Sequence, residues 1–125
     1  MVRINLPLEN VIMNWNKITS VDQINELKEE SKNKNILIFK HSTRCSVSSM
    51  AINRLERAWK EDETEGITPY YLDLIEYRDV SNEIQNTFKV IHESPQILLI
   101  KDGECIYDDS HMNINYSSIK ANSRV

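Results

Sequence analysis

The sequence predicts an α/β fold with one mixed central sheet and helices on both faces. Three observations carry this. Short apolar runs such as ILIF at 36–39 and ILLI at 97–100 have the length and β-branched content of buried strands. Between the runs lie segments whose apolar residues return every three or four positions, the spacing of a helix with one buried face. Near the end, Lys101-Asp102-Gly103 separates ILLI from ECIYDD as a hairpin turn separates two antiparallel strands.

Taken in order, Trp15 to Ile18 forms a short first strand, and Ser20 with Gln23 makes a capping box ahead of a helix that uses Val21, Ile24 and Leu27. Polar KNKN leads into ILIF, a strand ending near Lys40 or His41. From Ser46 a long helix follows, with Val47, Met50, Ala51, Leu55, Ala58 and Trp59 along one face. It runs out in KEDETEG, a solvated acidic stretch that Gly66 stops. Thr68 to Leu74 supplies another strand, and Val80, Ile84 and Phe88 mark another helix. Ser94-Pro95 then introduces the hairpin, and residues from Asn115 to Asn122 add a short final helix. Three βα units followed by a hairpin and a helix predict parallel strands in the middle and antiparallel strands at one edge, the order of a thioredoxin-like fold.

The 125 residues suit a single domain, expected over residues 1–125, without disulfide staples. A formal net charge of -4 removes the broad basic footprint of a nucleic-acid binder. MVRINLPLEN lacks the apolar core and cleavage site of a leader, and no apolar run is long enough for a bilayer, so the expectation is a cytoplasmic protein without membrane contact. Its two cysteines, Cys45 and Cys105, are too few for a secreted disulfide scaffold and suit a reducing compartment. No metal-ligand motif is present.

The chemistry concentrates in FKHSTRCSVSSMA, Phe39 to Ala51. Cys45 falls where a strand hands over to a helix, and the unpaired N–H groups and positive dipole end there favour a thiolate. Arg44 and His41 are nearby sources of positive charge, the N–H groups of Val47 and Ser48 are expected near the sulfur, and the Ser48 hydroxyl is a further donor. The alternative is a small buried cysteine beside a surface serine. Cys105 alternates with Ile106 and Tyr107 in a hairpin strand and reads as structural; His92 and His111 stand alone in loops. Pro95 begins a strand, and in this fold order the loop before it faces the reactive helix end, where a cis bond would present the backbone of Ser94 to a substrate.

With HSTRCSVSS, WNKITS near the start, ESPQILLIKDGE later and SHMNI towards the end, the chain resembles the monothiol bacilliredoxin family of general stress proteins from roughly Trp15 to Asn122. The resemblance implies a thioredoxin-like thiol-disulfide oxidoreductase that removes bacillithiol from client proteins. The same resemblance implies no tightly bound cofactor and bacillithiol as the low-molecular-weight co-substrate. Cys45 matches the family's active cysteine, Ser48 stands where two-cysteine relatives keep a resolving thiol, and Pro95 with Ser94 matches the fold's cis-proline. Arg44, Ser46, Val47, Ser48, Ser94 and Pro95 become the substrate-binding candidates, with Lys40 as a further carboxylate contact. Ser46 departs from the proline that the family often carries there, which restores a backbone N–H and loses a preset helical φ. Two other classes share the fold: an iron-sulfur carrier of the monothiol glutaredoxin type, from whose pattern this chain lacks the glycine after the cysteine, and a non-catalytic interaction domain.

Overall fold

The computed structural model describes residues 13–123, so the expectation drawn from MVRINLPLEN lies outside the described residues. A five-stranded sheet of order β1-β3-β2-β4-β5 runs through it. Its strands are β1 (Asn16–Lys17), β2 (Asn35–His41), β3 (Ile67–Asp73), β4 (Gln96–Lys101) and β5 (Glu104–Ser110). Parallel pairing joins β1 to β3 and β3 to β2, while β2 to β4 and β4 to β5 are antiparallel. The parallel set therefore reaches from one edge to the centre instead of occupying only the middle, with the antiparallel hairpin completing the other edge.

Strand alternation divides the core between two helical layers. Leu37 and Phe39 of β2 pack with Ala51, Ile52 and Leu55 of α2 (Ser46–Ala58) and Ile119 of α4 (Tyr116–Asn122). Ile36 and Ile38 point the other way, to Ile24 and Leu27 of α1 (Asp22–Glu30) and Val80, Ile84 and Phe88 of α3 (Arg78–Phe88). All seven residues of β2 are buried, as a strand covered on both faces must be. The thioredoxin-like arrangement with helices on both faces is thus present.

Two local expectations need correction. Helix α1 begins one residue after its Val21 N-cap, which forms no side-chain cap, and Val21 is exposed. Only the glutamine half of the proposed box is in place, with Gln23 Oε1 accepting from the Ser20 N–H at 3.1 Å and the Thr19 N–H at 2.6 Å. In α2 the buried face runs through Ser48, Ala51, Ile52 and Leu55 and on to Trp59, while Val47, Met50 and Ala58 face outward. A buried serine had displaced the apparent stripe by about one residue.

The hairpin turn follows its residues. Asp102 and Gly103 both adopt positive φ, 53° and 79°, as a two-residue turn matched to strand twist requires. Ser31 then ties this turn to the end of α1: its carbonyl accepts from the Asp102 N–H and its Oγ from the Gly103 N–H.

Candidate active site

The three parallel strands end on one rim of the sheet, and the segment from Ser42 to Cys45 leaves β2 there to enter α2. Cys45 is the N-cap of α2, with extended backbone (φ −116°, ψ 121°), and its carbonyl accepts the helical N–H of Ser49 at 3.1 Å. Its side chain is half-buried and accepts no capping hydrogen bond, while Val47 and Ser48 follow it in the first turn of the helix. At a helix start, the N–H groups of Ser46, Val47 and Ser48 lack intrahelical acceptors. The cysteine they follow is half-buried, and Ser46, Val47 and Arg44 are all exposed.

Ser48, by contrast, is wholly buried. Its Oγ accepts from the Ser42 N–H at 3.0 Å and lies 2.7 Å from His41 Nδ1. One hydroxyl thereby fastens both ends of the segment that carries the cysteine: the last residue of β2 and the first turn of α2. Burial holds the His41 imidazole below its ordinary pKa, against the opposing pull of Asp73 and Glu56. His41 therefore supplies a neutral ring at pH 7 and not the positive charge that its sequence position suggested. Phe39 and Tyr71 flank it, with centroids 6.2 and 5.6 Å away.

Replacing Ser48 with alanine should leave the Ser42 N–H and His41 Nδ1 without this partner in a part-buried setting. The expected cost is about 1–3 kcal/mol, read as a lower urea midpoint at unchanged slope. An unchanged midpoint would remove Ser48 from this bracing role.

The second wall is the loop before β4. Lys40 pairs with Gln96 across the sheet, so Ser94-Pro95 lies beside the end of β2. The Ser94–Pro95 bond is cis, and Pro95 is buried. Ser94 Oγ is buried and has no hydrogen-bond partner among the described residues. Lys40 is fully buried on the α3 side, where its Nζ donates to the Ser81 carbonyl and lies 3.3 Å from His92 Nδ1. It is no surface contact for a carboxylate. Nor is His92 isolated: its N–H donates to Gln85 Oε1, and burial together with Lys40 and Arg78 pushes its pKa down. Periodicity alone could not reveal that a lysine in an apolar strand reaches this loop.

Cys105 pairs with Ile100, opposite Ile36 at the start of β2, whereas Cys45 follows the end of β2. The two thiols thus belong to opposite ends of the sheet. The Cys105 thiol donates to the Tyr107 carbonyl at 3.3 Å, and burial pushes its pKa up to about 11. His111 is exposed and lies 3.2 Å from Glu93.

Known proteins share this architecture. A family model described as monothiol bacilliredoxin BrxC matches residues 16–119. A solved structure described as a candidate oxidoreductase with a thioredoxin fold is 32% identical, covering 94% of this chain and 98% of its own, with a TM-score of 0.75. Thioredoxin from Malassezia sympodialis is 19% identical over 86% of each chain, with a TM-score of 0.68. That from Fasciola hepatica is 14% identical, covering 85% of this chain and 97% of its own, with a TM-score of 0.66. The last two similarities concern the fold.

Proposed function

Because the chain belongs to the monothiol bacilliredoxin family, we propose that it removes bacillithiol from protein mixed disulfides through Cys45. The observation that carries this reading is a half-exposed thiol at a helix N-terminus whose i+3 neighbour is a buried serine already bonded to the supporting segment. Such a site supports attack and offers no local second sulfur.

The Cys45 thiolate attacks the bacillithiol sulfur of the mixed disulfide. The client–bacillithiol S–S bond breaks as the Cys45–bacillithiol bond forms, and the client departs as a thiolate that takes up the proton lost by Cys45. A second bacillithiol thiolate then attacks the bacillithiol sulfur on Cys45, releasing the symmetrical low-molecular-weight disulfide and restoring the Cys45 thiolate. Arg44 places positive charge beside the reacting sulfurs, and the free N–H groups of Ser46, Val47 and Ser48 face negative charge at the helix start. Backbone at Ser94 and Pro95 forms the opposite wall for the client. Bacillithiol is a co-substrate in this scheme, and the working compartment is the cytoplasm.

Intact mass spectrometry of the reduced protein mixed with a bacillithiolated model client should show one bacillithiol moving onto Cys45 as the client thiol appears. A glutathionylated client should react slowly. Failure to transfer, or equal transfer from the glutathione client, overturns the proposed specificity.

A further inference from the structure

An open depression of about 180 Å³ lies at the ends of β1 and β3, lined by Lys17, Ile18, Thr19, Tyr71, Asp73, Glu76 and Tyr77. The ends of parallel strands are the usual rim for a ligand in an open α/β sheet. A chain of contacts also links its lining to the helix that Cys45 begins. Tyr71 and Asp73 pair in register with Phe39 and His41, the Tyr71 ring lies 5.6 Å from His41, and His41 Nδ1 lies 2.7 Å from Ser48 Oγ in the helical turn that Cys45 begins. The space and the sulfur therefore share one supporting wall.

Its chemistry is mixed. Lys17 and Glu76 are exposed, and none of Lys17, Asp73 and Glu76 forms an ion pair among the described residues. Asp73 Oδ1 accepts from the N–H groups of Ile75 and Glu76, which fixes its carboxylate at the rim. Two tyrosines add flat amphipathic walls. A ligand suited to this lining carries carboxylate for Lys17, hydroxyl or N–H donors for Asp73 and Glu76, and a ring for the tyrosines. The volume is below the roughly 300–1,000 Å³ of a pocket that encloses a whole drug-sized ligand, so it suits one part of a tethered molecule.

We propose that this depression binds the glucosaminyl-malate part of bacillithiol while the bacillithiol sulfur is at Cys45. The proposal rests on the bacilliredoxin reading above and adds to it a recognition site for the non-sulfur part of the co-substrate. A malate carboxylate meets Lys17, the sugar lies against Tyr71 and Tyr77, and its donors face Asp73 and Glu76. The two acids in the lining disfavour a ligand that offers only negative charge, which gives the sugar a part in selection.

Two measurements test the site separately from the reaction. Thiol-free glucosaminyl malate titrated into the full Cys45→Ser chain should shift amide resonances at Lys17, Thr19, Tyr71, Asp73, Glu76 and Tyr77. In chains that retain Cys45, Lys17→Glu should raise KM for bacillithiol in the resolving step about tenfold, while exchange with neutral 2-hydroxyethyl disulfide stays within twofold of wild type. Normal bacillithiol removal without the resonance shifts or the KM change overturns the site and leaves the functional reading standing. Shifts at these residues in a chain whose wild type fails to remove bacillithiol support the site and overturn the reaction instead. Absence of both binding and removal overturns both.

Discussion

Cys45→Ser is expected to lower the rate of bacillithiol transfer by at least about a thousandfold, because an unactivated hydroxyl replaces the sulfur nucleophile on which the reaction depends. The proposed bond-forming atom is lost while the backbone of the N-cap is kept, and serine is favourable at that position. Circular dichroism and thermal unfolding should therefore remain close to wild type. Cys105→Ser is the informative companion. With its pKa near 11, the Cys105 thiol is ionised in roughly one molecule in a thousand at pH 8, and it lies at the other end of the sheet. Transfer by Cys105→Ser should stay within about twofold of wild type. Retained transfer in Cys45→Ser, lost on further replacement of Cys105, would reverse the assignment of the nucleophile.

Lys40→Met should stabilise the protein at pH 7 by about 1–3 kcal/mol, the balance of a relieved desolvation penalty and two lost polar contacts. Burial lowers the Lys40 pKa from 10.5 to about 8. Between these values the unfolded chain holds a proton that the folded chain has released, so wild-type stability gains from rising pH across that window. Below pH 8 both states are protonated and the penalty is fully present. Complete relief by pH 10.5 corresponds to about 3 kcal/mol at roughly 1.4 kcal/mol per pH unit. Cys105 acts in the opposite direction between its ordinary value of 9 and about 11, but it is present in both proteins. Urea denaturation of the pair from pH 7 to 10 should show the advantage of Lys40→Met shrinking above pH 8. Parallel curves would mean that Lys40 does not carry this penalty.

Strand and helix order was legible because each element has a strong period or a decisive boundary. ILIF became the doubly covered β2, and Asp102-Gly103 became a turn whose two residues both take positive φ. The placement of Cys45 at the start of α2 followed from the same boundary reasoning. What escaped was the direction of polar side chains. Ser48 looked like a donor to the sulfur and instead lies buried against His41 and Ser42. Lys40 looked like an exposed cation but turns beneath the loop at His92. Neither outcome depends on local sequence alone: both need the neighbouring strand, α3 and the loop before β4 in place. The depression beside Tyr71 escaped for a related reason, since its lining comes from two stretches of the chain more than fifty residues apart, 17–19 and 71–77.

Lys40 and His41 are consecutive residues on opposite faces of β2, so the central strand also works as an electrostatic phase setting. Lys40 faces the Ser81 carbonyl, while His41 faces Ser48 under the cysteine-bearing helix. A shift of one residue in this strand would exchange the faces, placing an aliphatic cation beneath α2 and an imidazole beside α3. Pairing on both sides of β2 opposes that exchange, with His41 opposite Asp73 in one direction and Lys40 opposite Gln96 in the other. The ladder thus fixes the polarity of the floor under Cys45 as firmly as it fixes the strand, and a single-residue insertion before Lys40 would alter that polarity without changing any residue at the surface of the site.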